Sequence, residues 1–447
     1  MRKIFMILIC YPLIGLSQVN YTITVNTNDA WHGNLFFQRG GPPQKPVKIV
    51  DSSGLEIFSE NWGMKGWDFK VNYNNKLSYF DRSSKGWFIM DSLHNEIDSV
   101  YAQNGYVADN HDFLALPNGN YVLFCYDDQP YAMDTIVPGG DPNAIIEGLI
   151  IQELDSNHNV IFEWKSWDHF HITDNIYLDL TSASLPFIHT NAIDIDFDGN
   201  FIFSNRNLDE ITKIHRTTGE IIWRWGGSQN EFNFINDYPF THQHSIRSLG
   251  ENKYLLYDNG NHSDQYIGVN LSRAVEYQLD TVLMTATKVW EFVHPDSLYT
   301  PSISSVQRLP NGNTLIDFGN LQWLNLGSIV TEVDQNNQIV FQLEYDNGGN
   351  LYRAQKFDWF FYTPPNYSWD CLAGSCVDPG TGLGLFTDSL QCVLNCSSTD
   401  ISNLVGVKTA KLIKIIDLLG KETSCQRKKI LFYVYDDGTV EKRIIVN

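Results

Sequence analysis

Apolar and polar residues along this chain fall into short alternating runs broken by Asn-Gly and Asp-Gly pairs, the pattern of strands joined by tight hairpins. The hairpin LPNGNYVLF (Leu116 to Phe124) returns as DFDGNFIFS (Asp196 to Ser204), LGENKYLLY (Leu249 to Tyr257) and LPNGNTLIDFG (Leu309 to Gly319), with a weaker copy NYNNKLSYF (Asn72 to Phe80). Each is followed by a second hairpin that ends in β-branched and aromatic residues, among them the runs ending at Trp164, Trp225, Phe292 and Tyr345. A unit of roughly four strands cannot bury its faces alone, so five such units must stack or ring around an axis. GNLFFQ with KPVKIVDSSGLEIFSENW (Lys45 to Trp62) on one side, and YRAQKFDWFF (Tyr352 to Phe361) on the other, supply a sixth unit shared by both ends. Zipping the ends together removes the exposed edges of an open array, which predicts an all-β, six-bladed β-propeller, with seven blades as the alternative. Trp62, Trp67, Trp164, Trp223, Trp225 and Trp290 fall at blade positions and read chiefly as core.

The remaining segments divide the chain into a leader (1–17), the propeller (18–366), a cysteine-rich segment with linker (367–400) and a C-terminal block (401–447). The leader has Met1-Arg2-Lys3, an apolar run Ile4 to Leu16 interrupted at Pro12, and small Ser17, which are the parts of a secretory signal peptide. That run is too short to span a bilayer, and no other stretch qualifies. Cys371, Cys376, Cys392 and Cys396 crowd together, and in an exported chain they read as two disulfides whose pairing spacing alone leaves open; a zinc site is the competing reading. Cys125 reads as a buried free thiol. The C-terminal block carries nine lysines and arginines against five acids, while the whole chain has a formal charge of -21, so the body is strongly acidic. Nucleic acid and anionic membranes are excluded as partners on that ground.

Candidate chemistry appears where the repeats depart from one another. His111 opens HDFLALPNGN, His189 opens HTNAIDIDFDGN, His244 opens HSIRSLGENK, and Ser304-Ser305 opens SSVQRLPNGN, all at comparable distances ahead of a hairpin. Three imidazoles aimed at one channel mouth exceed what folding requires. Arg206, in FSNRNLDE, falls where its fork of donors can hold an anion at the same mouth; Arg247 and Arg273 are further cationic candidates. Weaker motifs are Asp194, Asp196 and Asp198, which mimic the start of a calcium loop without its later Glu, and Asp168-His169-Phe170-His171, a blade rim.

From Asn110 to Phe357 the ordered pieces HTN, SNR, QHSIR, DNG and LSR resemble the bacterial arylsulfate sulfotransferase family, a six-bladed propeller group. The resemblance implies sulfuryl transfer from an aryl sulfate to a phenol through a sulfohistidine, with no cofactor and without 3'-phosphoadenosine 5'-phosphosulfate. It places the nucleophile at His244, an acid/base at His111 or His189, anion-holding donors at His189, Asn191 and Arg206, and a sulfate-binding hydroxyl at Ser304 or Ser305. A non-catalytic propeller that binds a sulfated or phenolic ligand, or a protein partner, is the alternative. The family's separate N-terminal β-sandwich has no counterpart in the short stretch Gln18 to Trp62. The block from Lys411 resembles the C-terminal sorting domain of type IX secretion, through Asp417 to Gly420, Tyr433 to Gly438 and Lys442 to Val446, which implies export to the cell surface or medium and contact with that machinery.

Overall fold

The computed structural model describes residues 21–40, 46–263, 265, 270–346 and 349–359, and beyond these 369–372, 375–377, 392, 412–416, 423, 430–435 and 440–444. The leader, Pro364-Pro365, Cys396 and the turns of the C-terminal block lie outside the described residues. The chain separates into two compact units, Met1–Tyr362 and Thr363–Asn447.

The first unit is a six-bladed β-propeller. Blade II runs through Trp67–Val71, Leu77–Asp81, Gly86–Met90 and Glu96–Val100; blade III through Val107–Ala115, Tyr121–Tyr131, Ala144–Leu154 and Val160–Lys165; blade IV through Thr190–Ile195, Phe201–Asn205, Glu210–Ile214 and Ile221–Gly226. Blade V is built from His244–Gly250, Lys253–Asp258, Arg273–Asp280 and Thr285–Phe292, and blade VI from Ser305–Arg308, Thr314–Phe318, Ile329–Val333 and Ile339–Tyr345. Blade I closes the ring as expected: Asn350–Phe357 is its inner strand and pairs antiparallel with Asn34–Gly40, followed outward by Pro46–Val50 and Glu56–Asn61. A second tie was not foreseen. Tyr21–Asn26 adds a fifth strand to the outside of blade VI, pairing with Phe341 to Tyr345.

Middle strands such as Phe201–Asn205 and Thr314–Phe318 are buried throughout, because each is covered by a neighbouring blade on both faces. Outer strands such as Glu56–Asn61 alternate, since one face meets water. Successive side chains therefore serve different interfaces: Phe36 packs toward blade II and Phe37 toward blade VI. Six apolar clusters result, one between each neighbouring pair of blades, and that closed count of interfaces fixes the ring at six. The hairpins turn where Gly119, Gly199 and Gly312 take φ of 89°, 84° and 89°, the left-handed region open to glycine. Cys125 is a buried free thiol, as expected.

In the second unit Asp370–Leu372 pairs with Ser375–Val377, and Cys376 is bonded to Cys392. Leu412–Ile416, Ile430–Tyr435 and Val440–Ile444 form a three-stranded antiparallel sheet. Among the described residues no helix is long and apolar enough to cross a membrane.

Candidate active site

Every inner strand begins at one mouth of the central channel, so residues just ahead of or early in those strands converge there. His189 immediately precedes the inner strand of blade IV, and His244 is the first residue of that of blade V. His111 lies mid-strand in blade III, where the register slips between Leu123 and Cys125 and a bulge turns residues 109–112 inward. The His111 and His189 rings meet edge to face at 4.4 Å. The backbone N–H of Arg206 donates to the carbonyl of His189 at 2.7 Å, which holds blade IV's arginine beside its histidine. His244 feels the charges of Arg206, His189 and His111. These four predicted residues are thus brought together.

His244 is buried and its tautomer is set by its neighbours. Nδ1 lies 2.7 Å from Oδ1 of Asn259 and 3.1 Å from the carbonyl of His242. Asn259 points its amide the other way, donating through Nδ2 to the carbonyl of Thr300 at 2.7 Å, so its Oδ1 is an acceptor. Nδ1 of His244 therefore carries the proton, and Nε2 keeps the lone pair. Burial, reinforced by Arg206, His189 and His111 and opposed by the Asn259 hydrogen bond, holds this imidazole well below its ordinary pKa. His189 is pushed down to about 3 by burial, His111 and Arg206. His242 and Ser245, which flank the His244 peptide closely, take φ of 54° and 59°, a strained backbone of the kind that gathers at reactive sites.

Arg206 differs from the other channel arginines. Its guanidinium donates to Oδ1 of Asn207 and the carbonyl of Pro301, each at 3.1 Å, while its buried Nε–H has no partner. Among the described residues it has no carboxylate within ion-pairing distance. Burial accordingly lowers its pKa. A half-buried cation without an anion is costly, and it marks a seat for one.

The other predicted residues are engaged elsewhere. Asn191 donates to the carbonyl of Gln243 at 2.8 Å and so braces the residue ahead of His244. Ser304 bonds Thr300 and the N–H of Gly319 at the edge of its own blade, and Ser305 bonds the carbonyl of Ala354 in blade I, so both hydroxyls are engaged in holding the scaffold. Arg247 lies further down the channel, paired with Asp112 at 3.1 Å. Arg273 is fully buried between Asp258, Asp237 and Glu291 within blade V, and its charge is spent there.

Beneath the histidines the channel is stoppered by charge. Asp112 receives Lys70 at 2.5 Å, Arg353 at 3.0 Å and Arg247 at 3.1 Å, while Asp68 receives Arg353 at 3.0 Å and Lys70 at 2.8 Å. Below this plug lies a cavity of about 470 Å³ lined in part by Tyr73, Asp194, Arg308 and Phe357. Its cations are already neutralised: Arg308 by Glu276, and Lys70 and Arg247 within the plug. The histidine mouth, by contrast, keeps Arg206 without a carboxylate partner among the described residues. Rim aromatics stand there, with Tyr299 and Trp323 at 5.7 Å near Pro301, whose carbonyl takes Arg206, and Tyr177 tilted against His262 at 3.8 Å.

Residues 27–353 match the family described as arylsulfotransferase (ASST). The chain belongs to the arylsulfotransferase family. No protein of curated function matches it. Among solved structures that share its fold at low identity are two examples. One is a protein of unknown function from Bacteroides caccae (13% identity, TM-score 0.46, 72% of this chain and 98% of that one); another is virginiamycin B lyase from Staphylococcus aureus (10%, 0.36, 73% and 88%). Membership supports aryl sulfotransfer at the level of the family, whose model suggests aryl sulfates and phenols as substrates.

Three contributors to the mouth escaped the sequence pattern. Asn259 sits in YDNGNHS and fixes the His244 tautomer; Asp109 holds Nδ1 of His111 at 2.6 Å; Asp209 holds His242. Asn259 and Asp209 lie within the DNG and FSNRNLDE motifs already singled out, and only their geometry reveals the role. His242 was legible as the first histidine of HQH, two residues from His244.

Proposed function

We propose that this protein moves a sulfuryl group from an aryl sulfate to a phenol by a ping-pong route through a sulfohistidine at His244, without 3'-phosphoadenosine 5'-phosphosulfate. The observation that carries this reading is a buried imidazole with its lone pair fixed on Nε2 beside a guanidinium that has no carboxylate partner. Nε2 attacks sulfur while the bond from sulfur to the aryl oxygen breaks, and its electron pair leaves with the phenolate. As Nε2 bonds sulfur the ring becomes cationic, and the Nδ1–H bonds to Asn259 and the His242 carbonyl strengthen. Arg206 and His189 hold the sulfuryl oxygens, where positioning and charge stabilisation do most of the work in a loose transition state. In the return step the acceptor oxygen attacks sulfur, the N–S pair goes back to Nε2, and the acceptor's proton must be taken up. Two imidazoles oriented by carboxylates are at hand for that proton, His111 on Asp109 and His242 on Asp209.

The lowered pKa of His244 gives a test with a definite sign. A free imidazole loses half its lone-pair form at about pH 6.5, whereas a depressed one stays neutral and nucleophilic to lower pH and fails only as pH falls through its own value. The pre-steady-state burst of 4-nitrophenolate from 4-nitrophenyl sulfate should therefore show no inflection near pH 6.5. Half-loss of the burst rate there would count against His244 as the attacking group.

We further propose that the protein is exported, with Met1–Ser17 removed and the C-terminal block read by type IX machinery. The mature protein collected from outside the cells should begin at or near Gln18; protein confined to the cytoplasm with Met1 retained would contradict this.

A further inference from the structure

We propose that the Asp209–His242 dyad, walled by Tyr177 and His262, is the phenol subsite, and that the acceptor's hydroxyl proton passes to Nε2 of His242. This rests on the sulfuryl-transfer reading and names the base it left open. Asp209 closes the short 3-10 turn Arg206–Leu208, so one turn carries both the anion-holding guanidinium and the carboxylate. Oδ1 of Asp209 accepts from the backbone N–H of His242 at 2.6 Å and from its Nδ1 at 2.8 Å. Oδ2 accepts the Tyr177 hydroxyl at 2.6 Å. The proton of His242 is thereby fixed on Nδ1, leaving the Nε2 lone pair for substrate, the arrangement a general base needs.

The surroundings suit an aryl ring. His262 packs on His242 at 4.2 Å, with its backbone N–H donating to Oγ1 of Thr241 at 3.0 Å, and Tyr177, 44% exposed, lies against it at the open edge. A flat apolar ring with one polar edge matches this half-open aromatic niche. The groups facing His242 are Asp209, His262, Tyr177, Arg206 and His189. Burial first, then Arg206 and His262, hold its imidazole below the ordinary range against the pull of Asp209, so it is neutral when the phenol arrives. His111 is less well placed for this task. Its ring is packed edge-on to His189 and lies 5.9 Å from Tyr352 over the plug, on the sulfuryl side of the mouth. Because the departing phenol retraces the acceptor's path, the same His242 returns the proton to it.

Asp209, His242 and His262 also bring their donor atoms within 4.8 Å of one another, a spacing that a divalent metal can use. Both oxygens of Asp209 already accept hydrogen bonds, and the neighbouring guanidinium opposes a cation. The dyad reading follows.

The test compares two acceptors on enzyme pre-loaded with 4-nitrophenyl sulfate: phenol itself, which ionises near pH 10, and a nitrophenol already ionised at the assay pH. In His242→Gln the rate with phenol should fall by about 10² to 10³-fold relative to the rate with the ionised acceptor. Asp209→Asn should shift the ratio in the same direction, which keeps the question decidable if His242→Gln folds poorly. Equal losses with both acceptors, an unchanged ratio, or the acceptor-dependent loss appearing in His111→Gln would overturn the proposal. So would stoichiometric zinc binding that supports activity and is abolished in His242→Gln. A wild-type protein with no nitrophenolate burst would instead remove the sulfuryl-transfer reading beneath it.

Discussion

Replacing His244 with alanine should reduce aryl sulfate turnover by about 10⁴-fold or more, the scale on which enzymes lose rate when a covalent nucleophile is deleted. The expectation is specific to this histidine. Its Nδ1 is held by Asn259 and the His242 carbonyl, its lone pair lies on Nε2, and the cation of Arg206 is close enough to depress its pKa. Removal also leaves Oδ1 of Asn259 without a donor, a cost of about 1–3 kcal/mol for a buried acceptor. The fold should survive that loss, since the six interblade clusters contain none of these atoms. Near-wild-type turnover in a folded His244→Ala protein would remove His244 as the nucleophile, and a binding-only propeller would then be the better account.

The largest stability effect should come from Asp112, not from the mouth. Its carboxylate is fully buried and receives Lys70, Arg247 and Arg353 from three other blades, besides the N–H of Ile193 from a fourth. Asp112→Ala strands these cations around one remaining partner, Asp68. Breaking a buried ion network by deleting one partner costs about 3–5 kcal/mol, which urea unfolding at neutral pH will register as a lowered midpoint. A change below about 1 kcal/mol would show that water reaches the plug and screens it. The pH dependence has a sign as well. Burial pushes the Asp112 carboxyl up, but Arg353, Lys70 and Arg247 outweigh it and hold the group far below the usual carboxylate range. Its stabilisation is therefore complete above the ordinary carboxylate pKa of about 4 and lost only as pH falls toward the depressed folded value.

The architecture was legible because it is repetitive. An Asn-Gly or Asp-Gly pair needs φ above zero, and the recurrence of that need at Gly119, Gly199 and Gly312 announces equivalent hairpins before any contact is known. The closing blade was legible too, since the run holding Phe36 and Phe37 and the run from Tyr352 are each too short to be a blade alone. Tyr21–Asn26 was missed because an outer strand, wet on one face, carries no repeat signature. At the mouth, the histidines and Arg206 stood out as departures from the repeat. The fates of Arg247 and Arg273 did not, because a charge in sequence does not disclose its counter-ion: Asp112 and Asp258 come from other strands. The same blindness hid Asp109 and Asp209, whose value lies in which imidazole they orient. Spacing reveals where chemistry gathers; only the folded register reveals which charges remain available for substrate.

The central claim is a covalent sulfuryl group on one histidine. Mixing the purified protein with an aryl sulfate in the absence of acceptor, quenching in base and mapping peptides by mass should find one SO₃ group on the peptide containing His244, and adding a phenol before the quench should remove it. A protein that turns over aryl sulfate with no label on His244, or with the label on another residue, would contradict the account.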